Sequence, residues 1–206
     1  MDGILLYVMG PSGAGKDSLI RQARQDLEGG RPAGRRARFA RRYITRFSGC
    51  AGEEHYPVSP AGFAALKSAG EFCMDWQSHG LCYGIGREVE EWLRQGDLVV
   101  VNGSRAYLPQ AEKLFPCLAP VLVRARAEVL RQRLESRGRE SAAEIEERLS
   151  LAAWAQESGR AVIEIDNSAS LEEARREFRR VLAGFGCGAL SGCRPGIKTD
   201  LLAQAR

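Results

Sequence analysis

Residues 10–16 read Gly-Pro-Ser-Gly-Ala-Gly-Lys and follow an apolar run, 4–9, close to the start of the chain. No other stretch limits the fold so tightly. A buried strand that turns through three glycines into a helix start, with a lysine on the first turn, offers backbone N–H groups and a positive charge to a polyphosphate. Gly10, Gly13 and Gly15 keep Cβ atoms away from the oxygens and supply the positive φ values that such a turn needs. Lys16 adds a mobile point charge that can follow a phosphoryl group through transfer, and the helix macrodipole favours the same anion. The stretch is therefore a nucleotide-phosphate loop. Its expected nucleotide contacts are Gly10, Pro11, Ser12, Gly13, Ala14, Gly15, Lys16, Asp17 and Ser18, with Lys16 catalytic.

One position departs from the usual loop. A Ser or Thr normally follows the lysine and gives its hydroxyl to Mg²⁺, whereas this chain has Asp17 there and Ser18 behind it. A carboxylate beside ATP would be repelled unless a cation lay between, so Asp17 is the expected metal ligand, directly or through water. The helix dipole also favours an Asp in a first turn, and that alternative stays open.

The remaining apolar runs, at 39–45, 98–102, 120–123 and 161–165, alternate with helical patterns. That alternation predicts an α/β fold in which helices flank a five-stranded parallel sheet. Residues 46–95 exceed a simple crossover and read as an inserted substrate lobe, with a Pro-initiated helix at 60–69, a short strand at 72–76 and a helix at 87–95. Residues 137–143, which begin Arg137-Gly138-Arg139, lie between helices at 127–136 and around 144–154 and suit a lid over bound phosphates. Arg133, Arg137, Arg139 and Arg148 are its available donors, of which Arg137 and Arg148 are selected as catalytic; surface pairing with Glu135, Glu144 and Glu147 is the alternative. After a last helix at 171–183, residues 184–206 form a glycine- and cysteine-rich tail, leaving 1–183 as one domain.

Composition narrows the partners. Six cysteines without a paired spacing, and only two histidines, point to reduced packed thiols, with a Cys187–Cys193 link as a weaker option. Arg31, Arg35, Arg36, Arg38, Arg41 and Arg42 crowd one segment, but no aromatic residues interleave as a stacking platform requires. An anionic small substrate is expected there rather than nucleic acid. No stretch approaches the length of a membrane span and the start lacks a basic signal region, so a cytoplasmic protein is expected, with a homodimer left open.

Further landmarks accompany the loop: Ile44-Thr45-Arg46, Gly70-Glu71-Phe72, His79-Gly80 through Tyr83-Gly84, the Arg137 region, Glu147-Arg148-Leu149 and Asp166-Asn167. Over about residues 4–183 the chain thus resembles the guanylate kinase superfamily, with its P-loop kinase fold. The resemblance implies that Arg46 and Tyr83 bind the acceptor phosphate, that Arg137 and Arg148 clamp the transferring group, and that Asn167 sits beside the adenine of ATP. It breaks where guanylate kinases read guanine, because Met74 and Ile85 stand in place of an acidic residue and a hydroxyl. A thioether and an aliphatic chain cannot make those hydrogen bonds, although Asp75 one position away leaves a shifted register open.

Gly15-Lys16-Asp17, Arg42-Tyr43-Ile44-Thr45-Arg46, Trp76-Gln77, Tyr83-Gly84-Ile85 and the run from Val99 through Arg105 to Tyr107-Leu108-Pro109 form a narrower pattern. It is similar to the branch of the superfamily formed by the ribose 1,5-bisphosphate phosphokinases. That likeness implies ATP- and Mg²⁺-dependent formation of 5-phosphoribosyl 1-diphosphate in phosphonate breakdown, with a sugar bisphosphate as acceptor. Asn102, Ser104 and Arg105 follow the central strand, where open α/β sheets bind ligands, and are assigned to sugar or phosphate contacts. Ser104 as a helix cap is the alternative. His79 is read as structural, or as a bond to a substrate hydroxyl. A guanylate kinase and a non-catalytic binding module are the competing functions.

Overall fold

Every residue of β1 (Ile4–Met9) is buried, and its side chains alternate between two cores. Ile4, Leu6 and Val8 enter one, Leu5, Tyr7 and Met9 the other, as the period of two in a strand requires. A strand apolar on both faces must lie inside a covered parallel sheet. The computed structural model describes residues 3–27, 34–46, 54–138, 141–154 and 162–186. In it β1 is the centre of a five-stranded parallel sheet with β2 (Ala37–Phe39), β7 (Leu98–Asn102), β8 (Leu118–Arg124) and β9 (Ile163–Asp166), in the order β2-β7-β1-β8-β9.

The first core lies under α1 (Lys16–Leu27), α5 (Ala127–Arg137) and α7 (Leu171–Gly186). The last helix runs beyond the expected 171–183, because its apolar stripe of Ala174, Phe178, Val181 and Leu182 continues to Phe185. The second core joins the sheet to α3 (Glu88–Arg94), α4 (Leu108–Leu114) and a four-stranded sheet of order β4-β3-β6-β5. Its strands are β3 (Arg42–Ile44), β4 (His55–Pro57), β5 (Phe72–Ser78) and β6 (Leu81–Gly86). This inserted sheet also carries α2 (Pro60–Ser68), started by Pro60 and by the Ser59 hydroxyl, which accepts a bond from Gly62 N at 3.0 Å. The remaining helix, α6 (Ala142–Trp154), packs on α5.

The apolar run 39–45 is not one strand. Phe39 pairs with Val100 in the large sheet, and Ala40 N still donates to Val100 O at 3.0 Å. From Arg42 the chain changes partners and pairs with Ile85 of β6. Periodicity in a short apolar run carries no signal for such a change of sheet. The β5–β6 hairpin turns through His79 and Gly80, at φ values of 48° and 72°, so His79 is a turn residue on the surface. Among the described residues no helix is long and apolar enough to cross a membrane.

Candidate phosphoryl-transfer site

The loop 10–15 leaves the buried end of β1 and delivers Lys16 to the first position of α1. Lys16 Nζ folds back and donates to Gly10 O at 2.8 Å and Pro11 O at 2.9 Å. Beneath the loop Asn167, only 1% exposed, donates from Nδ2 to Ala14 O at 2.8 Å. Gly15 has a φ of +89°, and a Cβ there would lie 2.3 Å from that same nitrogen, so both its backbone angle and its neighbour demand glycine. Asn167 touches the loop from below, as a brace for its backbone.

Two arginines also reach the loop. Arg133 of α5 donates to Gly13 O at 3.3 Å and to Asn167 O at 2.9 Å. Burial, and then the positive charge of Arg137, push its pKa down. Arg148 of α6 donates to Ser12 Oγ at 2.8 Å. Arg137 ends α5 on the exposed surface, one turn beyond Arg133, where Gly138 caps the helix in the left-handed conformation. In the sequence Arg133 is one of four available donors and not one of the two selected. The helical spacing of 133 and 137 places both on one side of α5, but only the fold reveals which is nearer the loop.

Asp17 lies in the first turn of α1, with Ser18 half-buried beside it. Its Oδ1 accepts from Asn102 Nδ2 at 2.6 Å and from Arg42 Nη2 at 3.3 Å. Asn102 closes β7, is 6% exposed, and its Oδ1 is buried with no hydrogen-bond partner among the described residues. An orphaned acceptor oxygen beside a carboxylate fits a hard cation or its water. The described residues hold no group of three or more His, Cys, Asp or Glu side chains able to bind a metal. A cation here would therefore share one carboxylate with phosphate oxygens, as Mg²⁺ commonly does.

Arg42 joins this cluster to the inserted sheet. Its guanidinium lies 5.4 Å from the centroid of the Tyr83 ring, which stacks on Trp76 at 5.5 Å with the planes 3° apart, and Tyr107 borders Trp76 at 5.7 Å. Arg46 follows β3 at a turn pinned by Thr45 N to Cys82 O at 3.1 Å and by Cys82 N to Thr45 Oγ1 at 2.8 Å, next to Tyr83. Met74 and Ile85 pair directly across β5 and β6, are 1% and 0% exposed, and belong to the second core. The β5–β6 register is irregular between Phe72 and Met74, and beyond it Asp75 pairs with Gly84 and gives its carboxylate to Lys67.

After β7 the chain is fixed by Tyr7, which lies 97 positions away in sequence from Ser104. The Tyr7 hydroxyl donates to Ser104 O and accepts from Ser104 N, each at 2.9 Å, and burial raises its pKa. Gly103 is required beneath it, because a Cβ would fall 2.0 Å from Tyr7 Cζ. Ser104 does not cap α4, which begins at Leu108 behind Tyr107. Burial lowers the pKa of Arg105 in the same turn. Tyr7 and Arg42, like Arg133, fall outside the site that the sequence predicts, and both owe their place to contacts between segments distant in the chain.

The arginine-rich segment is largely absorbed by protein partners. Arg35 donates to Gly96 O, Arg38 pairs with Asp97 and lies over Trp92, Arg41 pairs with Glu54, and Arg42 with Asp17. Arg24 pairs with Glu54 as well, so Asp17, Arg21, Arg24, Arg41, Arg42, Glu54 and Asn102 line one open cleft along α1. Cys73 and Cys82 are free thiols, and burial first of all pushes Cys73 up to about 12. Arg31, Arg139, Cys50, Cys187 and Cys193 lie outside the described residues.

A phosphate loop at the centre of a parallel sheet, faced by an inserted lobe with a mixed four-stranded sheet, defines a P-loop kinase of guanylate kinase-like fold. The crystal structure of a guanylate kinase from Anaplasma phagocytophilum has this fold, with a TM-score of 0.66 at 18% identity over 99% of this chain and 95% of that one. Several curated relatives carry the name ribose 1,5-bisphosphate phosphokinase PhnN. Those of Pseudomonas paraeruginosa and Desulfomicrobium baculatum are each 47% identical, covering 89% and 82% of this chain and 97% and 88% of their own lengths. That of Rhizobium etli is 44% identical over 89% of this chain and 91% of its own. The chain belongs to the ribose 1,5-bisphosphate phosphokinase family. No protein-family model matches it.

Proposed function

We propose that this chain transfers the γ-phosphoryl group of ATP to the 1-phosphate of ribose 1,5-bisphosphate, yielding ADP and 5-phosphoribosyl 1-diphosphate for phosphonate catabolism. The observation that carries the acceptor's identity is the closed apolar pair Met74–Ile85. A purine edge at that place would leave its donors and acceptors unpaired, which costs orders of magnitude in selectivity. The intact loop with Lys16 supports catalysis over mere binding.

An acceptor phosphate is already ionised at neutral pH, so no general base is needed and the protein's work is alignment and charge stabilisation. Lys16 exchanges its two loop carbonyls for the oxygens of the transferring group. Arg148, on Ser12, and Arg137, at the end of α5, clamp that group from the lid side, while Arg133 and Asn167 hold the loop in shape. Arg46 and Tyr83 take the acceptor phosphate from the inserted lobe, and Asn102, Ser104 and Arg105 line the turn on which the sugar rests. Mg²⁺ beside Asp17 supplies, when bound, the positive charge that lets two anionic substrates approach. Because ATP and a sugar bisphosphate are retained inside cells, the reaction is placed in the cytoplasm.

Incubation with ATP, Mg²⁺ and either ribose 1,5-bisphosphate or GMP tests the reading, with products followed by phosphorus NMR. The expected outcome is a new diphosphate signal with the sugar bisphosphate and none with GMP. Turnover of GMP alone would overturn the acceptor assignment, and absence of any ATP turnover would favour a binding module.

A further inference from the structure

The usual P-loop places a hydroxyl after the lysine and the metal-binding carboxylate elsewhere, the two sharing one Mg²⁺. In this chain the carboxylate is on the loop's helix, as Asp17, and a neutral amide, Asn102, faces it from the end of β7. We propose that Asp17 and Asn102 are a transposed version of that pair, in which Asn102 is the positioning residue that aims the metal-binding carboxylate. The inference rests on the nucleotide half of the functional reading and not on the identity of the acceptor.

Three observations carry it. Asn102 Nδ2 holds Asp17 Oδ1 at 2.6 Å, and Arg42 approaches the same oxygen at 3.3 Å, so the described bonds to Asp17 all fall on one side of the carboxylate. The second oxygen is left for a ligand. Asn102 Oδ1, buried and without a partner among the described residues, adds an acceptor on the same amide that holds Asp17, suited to a metal-held water. Charge completes the argument, since an Asp at 102 would set two carboxylates within hydrogen-bond distance of each other beside a polyphosphate. With the carboxylate moved to position 17, an amide is the side chain of the same shape that donates instead of repelling.

The test is Mn²⁺ binding, followed by electron paramagnetic resonance with saturating ADP and no acceptor, in the full chain and its variants. Asn102→Ala should weaken Mn²⁺ about tenfold, the scale of an outer-shell partner, and leave ADP affinity in EDTA unchanged. Asp17→Ser should weaken it at least as much. The double variant Asp17→Ser with Asn102→Asp, which restores the usual order, should return Mn²⁺ affinity to within about threefold of the parent. A merely structural contact gives no such rescue. Unchanged Mn²⁺ affinity in Asn102→Ala overturns the proposal, as does a folded double variant that binds no better than Asp17→Ser. Should the double variant melt below the assay temperature, Asn102→Ala decides. Loss of ADP binding by the unaltered chain would instead refute the nucleotide reading.

Discussion

The donor side and the acceptor side of this molecule are built by different means. The phosphate loop takes its shape from consecutive residues, with Gly10, Gly13 and Gly15 at positive φ and Lys16 bonded to carbonyls five and six positions before it. The acceptor lobe is assembled from strands as short as Arg42–Ile44 and His55–Pro57, which pair with each other and join the rest of the lobe's sheet only through the pairing of β3 with β6. Neighbouring residues set the turn of the loop, which Asn167 and Arg133 then brace from distant positions in the chain, whereas the lobe borrows even its strand order from the core it shares with the sheet. Arg42 is where they meet, a lobe residue whose charge is spent on the loop's Asp17.

That difference predicts unequal responses to substitution. Removing Lys16 as Ala strikes the donor side alone. It should cost about 3 kcal/mol or more in transition-state stabilisation, roughly a hundredfold or greater in kcat/KM, with the melting temperature held. Single-turnover kinetics measure it directly. A smaller loss would mean that the loop's charge comes mainly from arginines, and the division between the sides would fail.

Arg42→Met keeps an apolar stem against Tyr83 and removes the charge that ties the sides together. A charge-assisted contact of this kind is worth about 1.5–3 kcal/mol, so kcat/KM for the acceptor should fall roughly ten- to a hundredfold. The KM for ATP should move much less. Equal changes for both substrates would place Arg42 wholly on the donor side and move the boundary to the lobe's inner strands.

The same contrast explains what the sequence made legible. The loop, β1, β7 and the alternation of strands and helices could be read because each depends on neighbours in the chain or on the period of one element. The split of 39–45 between two sheets could not, since it depends on β6 competing for Arg42. The hairpin at His79-Gly80 did leave a signal, a two-residue turn ending in glycine between paired strands, with His at a position that tolerates positive φ. Tyr7 left none, because its hydroxyl acts only through a turn that folding brings to it. Met74 and Ile85 were legible as a pair of missing hydrogen-bonding groups, and their strand register explains why the loss is shared.

The smallest effect is expected far from both substrates, where α1 meets α7. Asp26 accepts two bonds from Arg175, the shorter at 2.6 Å, and two from Arg179, the shorter also 2.6 Å. Hydrogen bonding from Arg175 above all holds its carboxyl below the usual range. A lowered folded pKa gives stability that is complete above the unfolded value, near 4, and is lost as the pH falls through the folded one. Solvent screening limits it to under about 1 kcal/mol. Asp26→Asn should therefore melt lower at neutral pH by less than about 3 °C, and the gap should close as the solution is acidified below pH ~4 or as salt is raised. Turnover should stay unchanged, because this end of α1 is more than two turns from the loop. A gap that persists in acid would show that packing, not charge, joins the two helices. A fall in kcat would show that the donor loop is tuned through the length of α1, and that its order is less local than its sequence suggests.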